Sequence, residues 1–198
     1  MEPYRFCPRC GAQLEHLPLS GRYRHACVQD GCGFVHWDNP LPVLAAVVEY
    51  EGKLLLARNA AWPEKMFALV TGFMERDETP ELGVARELKE ETNLDTVSAS
   101  LIGVYEFMRK NELIIAYHVR AEGEIRLSEE LVEYKLVAPE KMRIWNAGTG
   151  FAVADFLERR GLPVQFFDRA TGENIPDPRR PTDFGLVSAS LQYGIAQK

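Results

Sequence analysis

The chain lacks three features, and each absence removes a class of protein. No run among its 198 residues approaches eighteen consecutive apolar positions, so a membrane-spanning helix is not expected. The N-terminus, MEPYRFCPRC, has no apolar core of the kind a secretory leader carries. A cytoplasmic protein with no membrane partner is therefore expected. Basic charge is in deficit, since 23 Lys and Arg against 29 Asp and Glu leave a net charge of −6. That excludes a broad basic surface for duplex nucleic acid, but not a local basic pocket. Apolar residues are plentiful, at 46% of the chain, enough to bury a sizeable core.

Cysteine is missing after residue 32. The four present are Cys7, Cys10, Cys27 and Cys32, spaced C-x2-C, sixteen residues, C-x4-C. Without a secretion signal a reducing compartment disfavours disulfides, and paired cysteine knuckles favour a tetrahedral zinc ion of structural role. The alternatives are two disulfides or unrelated thiols. His25 and His36 flank the cysteines and offer substitute ligands, but four thiolates already complete a site. Residues 1–38 are too few to fold on a core of their own, so zinc would supply the stability.

Beyond the turn-rich HWDNPLP, the run LPVLAAVVEYEGKLLLARN predicts a β-hairpin about the turn Glu51-Gly52. Residues 67–70 continue as a short strand into Gly72. Residues 79–91 predict a helix, with Thr79 as N-cap, Pro80 at the first position and Asn93 at a left-handed C-terminal stop. Two strands follow around Arg109-Lys110-Asn111, then a polar loop holding Glu129, Glu130 and Glu133, the strand VEYKLVA and a helix over residues 151–160. From Pro163 the chain is strand-like, then turn-rich. The predicted division is 1–38, 39–162 and a C-terminal extension, 163–198.

The helix gathers Glu87, Glu90 and Glu91 within five residues, although like charges three or four apart repel by about 0.2–0.5 kcal/mol per pair. At about 100° per residue, with Leu82 at zero, Val84, Ala85 and Leu88 fall near 200°, 300° and 240°. With Leu82 they are expected to form the apolar arc, and the three glutamates the opposite one. A solvated acidic face is one explanation; a divalent cation with oxygen ligands is the other.

The spacing resembles a known pattern. From Gly72 the chain reads G, five residues, Glu78, seven residues, then Arg86-Glu87-Leu88-Lys89-Glu90-Glu91-Thr92-Asn93-Leu94. This resembles the Nudix box, G-x5-E-x7-R-E-U-x-E-E-x-G-U with U aliphatic, and departs only at Asn93, which stands for a glycine. GKLLLARN before the box and EELVEYKLVAPEKM after it also look like the family, over roughly residues 40–160. The resemblance implies an α+β fold, a Nudix α/β/α sandwich with a mixed sheet, here preceded by a small zinc ribbon. It implies hydrolysis of a nucleoside diphosphate linked to another moiety, with Mg²⁺ or Mn²⁺ held by Glu87, Glu90 and Glu91. Glu78 is expected as an outer metal ligand or loop-fixing group, and Arg86 as the group orienting the carboxylates. Glu87, Glu91 and Glu130 are the candidates for the proton-accepting base. Gly72 is expected where the backbone approaches the phosphates. Glu75 also occurs in the family's loop.

At the substrate, Arg58 is a candidate for a phosphate or for a surface ion pair. Tyr105, Phe107 and Trp62 are candidates for base stacking or for core. His118 is expected to be a satisfied strand residue. A C-x2-C knuckle upstream of a Nudix box is similar to zinc-ribbon members such as NADH pyrophosphatases and related ADP-ribose or flavin-dinucleotide hydrolases. The S-Q-P-W-P-F-P-x-S segment of NADH pyrophosphatases is missing, and Lys110 stands where many ADP-ribose hydrolases place a proline. A small dinucleotide-type substrate (ADP-ribose, NADH or FAD) and a homodimer are expected; a nucleic-acid partner is not. The competing readings are an RNA 5′-cap or NAD-cap hydrolase whose ribbon binds RNA, and a non-catalytic binding module.

Overall fold

The protein is described from a computed structural model, over residues 4–179. The chain divides between Pro40 and Leu41 into two compact units. In the first, β1 (Leu14–Leu19), β2 (Arg22–Cys27) and β3 (Val35–His36) form an antiparallel sheet in that order. Its interior is small: Cys7, Leu14 and Cys32 are buried, with Cys27 and Phe34 packed against them. Three of these five are cysteines, so apolar burial alone supplies little.

In the second unit, β4 (Leu41–Tyr50) and β5 (Lys53–Asn59) form the expected hairpin. Glu51 and Gly52 both take positive φ, 49° and 73°, the combination a two-residue turn needs to match strand twist. β6 (Val70–Phe73) follows, then α1 (Pro80–Thr92), β7 (Asp95–Phe107), β8 (Glu112–Glu122) and β9 (Leu131–Val137). The sheet order is β7-β8-β4-β5-β9, with β6 paired on β4. The β4–β8 pair is parallel and the others antiparallel, so the sheet is mixed. After β9 come β10 (Ile144–Trp145), α2 (Thr149–Arg159), β11 (Phe166–Phe167) and β12 (Asn174–Ile175).

Both faces of β4 are buried, so it reads as an unbroken apolar run instead of an alternation. Leu44, Ala46 and Val48 pack with Val84 and Leu88 of α1. Val43, Ala45 and Val47 pack with Ala152, Val153 and Phe156 of α2. The result is the expected α/β/α sandwich. Among the described residues no helix is long and apolar enough to cross a membrane.

Two expectations change. Residues 163–175, which the sequence sets apart as an extension, run back onto the fold: β11 pairs parallel with β10, and Phe166 is buried in the core beneath α2. Two-residue strands leave no period for a sequence to show. Residues 180–198 of that extension lie outside the described residues. The apolar arc of α1 is also rotated from its expected place. Leu82 is 64% exposed, whereas Gly83, Val84, Leu88 and Thr92 are buried. On the same wheel that arc spans about 100° to 280° and contains Glu87 and Glu91. Of the three glutamates Glu90 alone is exposed, and Glu87 and Glu91 are partly buried.

Candidate active site

α1 is fixed at both ends. Thr79 caps it by accepting from the Leu82 amide at 3.3 Å, and Asn93 closes it at φ 62° with its amide on the Lys89 carbonyl. Two glycines let acidic groups lie against the fold. A Cβ on Gly72 of β6 would sit 1.8 Å from Glu87 Cδ, and one on Gly83 would sit 2.6 Å from Glu78 Oε1. The space beside Gly72, expected to receive phosphate, is thus filled by the Glu87 carboxylate.

Arg86 holds this arrangement together. Nε donates to Glu78 Oε2 at 3.0 Å, and Nη2 donates to Glu78 Oε1 at 2.9 Å and to the Phe73 carbonyl at 3.2 Å. Nη1 donates to Glu87 Oε1 at 2.8 Å and to Glu90 Oε2 at 3.0 Å. All five guanidinium N–H groups are therefore engaged. Glu78 Oε1 also accepts from the Glu75 amide at 2.7 Å. The Arg86 bonds, then that amide, hold the Glu78 carboxyl down at about 2. With both oxygens on N–H donors, Glu78 clamps the loop before α1.

Glu91 is the opposite case. Among the described residues its side chain has no hydrogen bond and no ion pair. Burial first, then the charges of Glu87, Glu130 and Glu90, push its carboxyl up to about 7. Burial likewise raises Glu87, against the pull of Arg86. Glu130 reaches this neighbourhood because its loop is stitched to the end of α1. The Ser128 amide donates to the Glu91 carbonyl at 3.0 Å, the Arg126 amide to the Thr92 carbonyl at 2.9 Å, and Asn93 Nδ2 to the Glu124 carbonyl at 3.0 Å. Carboxylates are the hard-oxygen donors a divalent ion takes. Glu87, Glu90 and Glu91 fit a divalent cation on that chemistry, although Arg86 holds two of the three.

The four cysteine Sγ atoms do converge, all within 4.8 Å of one another. Cys7 and Cys32 are 3.6 Å apart and Cys10 and Cys27 3.5 Å. A tetrahedral site with Zn–S bonds of about 2.3 Å has edges of about 3.8 Å, whereas a disulfide would bring the sulfurs to about 2.05 Å. The cluster fits a zinc ribbon, and all four thiols are free of disulfides.

The remaining candidates separate. Arg58 pairs with Glu133 at 3.3 Å across β5 and β9. Tyr105 donates to Asp155 Oδ2 of α2 at 2.6 Å. His118 bonds Glu49 at 2.8 Å and packs on Phe156. Phe107 and Trp62, by contrast, line a cleft of about 270 Å³ on the α2 side of the sheet, with Trp145, Arg109, Lys110, Glu112 and Arg169. Thr71 lines this cleft and Gly72 faces Glu87, so consecutive residues of β6 present the cleft and the carboxylates on the two faces of the strand. Neither Trp145 nor Arg169 is signalled by any motif, since both lie beyond the box in segments without a period.

Comparison with known proteins agrees with this geometry. The NUDIX domain profile matches residues 39–159. The chain is 32% identical over 114 residues to the NAD-capped RNA hydrolase NudC of Vibrio atlanticus (strain LGP32), covering 57% of this chain and 40% of that one. It is 34% identical over 86 residues to the NAD-capped RNA hydrolase NudC of Mycobacterium tuberculosis (strain ATCC 25177 / H37Ra), covering 43% and 28%. The chain thus spans well under half the length of these curated relatives. A NUDIX hydrolase from Nitrosomonas europaea superposes with a TM-score of 0.67 at 23% identity, over 84% of this chain and all of that one. An ADP-ribose pyrophosphatase from Streptococcus suis superposes at 0.51 and 18% identity, over 65% and 100%.

Proposed function

Because the chain belongs to the NUDIX domain family, we propose that it hydrolyses the pyrophosphate bond of a nucleoside diphosphate linked to another moiety, with a dinucleotide-type substrate such as ADP-ribose, NADH or FAD. One observation carries this: Glu91 is a partly buried carboxylate without a hydrogen bond among the described residues, raised by burial and by Glu87, Glu130 and Glu90. A chain gains nothing in stability from such a group.

Glu87, Glu90 and Glu91 would hold Mg²⁺ or Mn²⁺, which when bound neutralises phosphate charge and lowers the pKa of a bound water. Arg86 fixes the rotamers of Glu87 and Glu90, and Glu78 fixes Arg86. Glu87, Glu91 and Glu130 are the candidates to accept a proton from the attacking water. The aromatic cleft beyond Thr71 accommodates the nucleoside end of the substrate, with Phe107 and Trp62 as its walls.

A second reading is favoured by the relatives named NAD-capped RNA hydrolases: the dinucleotide would then be the 5′ end of an RNA. The discriminating experiment is hydrolysis of ADP-ribose, NADH, FAD and NAD-capped RNA in parallel, with Mg²⁺ or Mn²⁺ and at two salt concentrations. Preference for free dinucleotides supports the first reading. Preference for the RNA, falling steeply with salt, supports the second. No cleavage of any member refutes both.

A further inference from the structure

The family match stops at residue 159, but the cleft does not. β11 and β12 are joined by a tight loop in which Asp168 accepts from the Ala170 amide at 2.7 Å and from the Gly172 amide at 2.8 Å. Arg143 ties the loop down by donating to the Gly172 carbonyl at 2.7 Å and to Asn174 Oδ1 at 3.1 Å. This frame carries Arg169 back over the domain. Its guanidinium lies 4.8 Å above the Trp145 ring, donates to the Phe67 carbonyl at 3.1 Å and lines the cleft.

Arg169 is a half-buried cation without a carboxylate partner among the described residues. Arg179, by contrast, is held by Asp155, Asp177 and Glu158, and Arg143 donates to carbonyl oxygens of Gly172 and Asn174. Burial alone lowers the pKa of Arg169. One of its five N–H donors has an acceptor among the described residues. Among the described residues the other charged groups of the lining are Arg109, Lys110 and Glu112, with Lys110 facing Glu112 at 3.8 Å, so cations outnumber acids there. Ala147, Gly148 and Thr149 bring the N-terminal end of α2 to the same cleft, with no side-chain cap, which adds a positive dipole end. An aromatic-walled cleft with unbalanced positive charge fits a ring bearing an anion.

We propose that the segment beyond the family domain completes the nucleotide cleft, and that Arg169 binds a phosphate of the substrate's nucleotide half while its base lies against Trp62 and Phe107. This rests on the reading of the chain as acting on a nucleotide substrate and deepens it. The planar guanidinium, already oriented by Trp145 and the Phe67 carbonyl, presents paired N–H donors that match phosphate oxygens.

The test is calorimetric titration of the full chain with AMP and with adenosine, no divalent ion added, for wild type, R169Q, R169K and W62A. Wild type is expected to bind AMP at least tenfold more tightly than adenosine. R169Q is expected to bind both alike, with adenosine unchanged, and R169K to recover part of the preference. W62A should weaken both ligands together and keep their ratio. Equal binding of AMP and adenosine by wild type, no binding of either, or an AMP preference that survives in folded R169Q or stays at full strength in R169K, would overturn the proposal. The hydrolase reading fails separately: a chain that binds AMP through Arg169 yet cleaves nothing sinks that reading alone.

Discussion

Replacing Gly72 with alanine tests the packing of the carboxylate face. The added Cβ would lie 1.8 Å from Glu87 Cδ and 2.1 Å from both its oxygens. To reach an ordinary contact of 3.4 Å the carboxyl group must retreat by about 1.6 Å, which breaks its 2.8 Å bond from Arg86. A charge-assisted bond of this kind contributes about 1.5–3 kcal/mol. Glu87 gains solvent as it leaves, so a net loss of about 1–2 kcal/mol is expected. In a domain of this size that lowers Tm by about 2–8 °C. Catalysis should suffer more, because a misplacement of about 1 Å at a reacting centre costs about 10²-fold. The assay is metal-dependent hydrolysis of the preferred substrate beside thermal unfolding, for Gly72→Ala, Glu87→Ala and the pair. The pair should be no worse than Glu87→Ala, since alanine at 87 vacates the space. A Gly72→Ala enzyme with wild-type Tm and kcat within threefold would show that Glu87 does not occupy that space.

Leu88→Ala, at a fully buried position, should cost about 2–5 kcal/mol in denaturant unfolding, whereas exposed Leu82→Ala should stay within about 0.5 kcal/mol; similar losses would restore the expected apolar arc. Because the Glu91 carboxyl is raised from 4.5 to about 7 in the folded state, the unfolded state releases its proton first. Metal-free protein should therefore lose stability as pH rises from about 4.5 to 7, and Glu91→Gln should flatten that window; an unchanged slope would remove Glu91 as its source. Zinc content should be one ion per chain and be lost in Cys7→Ser, with collapse of the near-UV signal from the N-terminal unit; a metal-free protein with that unit intact would refute the zinc assignment.

Much of this was legible in the sequence wherever a local rule decides the outcome. Positive-φ demands at Glu51 and Gly52, the cap at Thr79 and the left-handed stop at Asn93 each concern a few neighbouring residues, and each formed as the chain implied. The cysteine spacing likewise reported a convergence that two knuckles impose. The face that α1 buries was not legible. A helical wheel orders residues by angle but does not reveal that Gly72 and Gly83 hollow out space for Glu87 and Glu78, so the wheel places the carboxylates opposite the apolar arc. Arg58 reads from the sequence as a candidate for a phosphate or for a surface ion pair; its partner Glu133 is 75 positions away and meets it only through β5–β9 pairing. Arg169 reached the cleft through two-residue strands that carry no periodic signal.

The most direct test of the central claim is hydrolysis of the preferred pyrophosphate substrate as Mg²⁺ or Mn²⁺ is titrated, for wild type and Glu91→Gln, with circular dichroism on both. Metal-dependent cleavage by wild type, reduced at least 10²-fold in an equally folded Glu91→Gln, is the expected result. A variant as active as wild type, or a wild type indifferent to the metal, would contradict the assignment of the α1 carboxylates as the catalytic face.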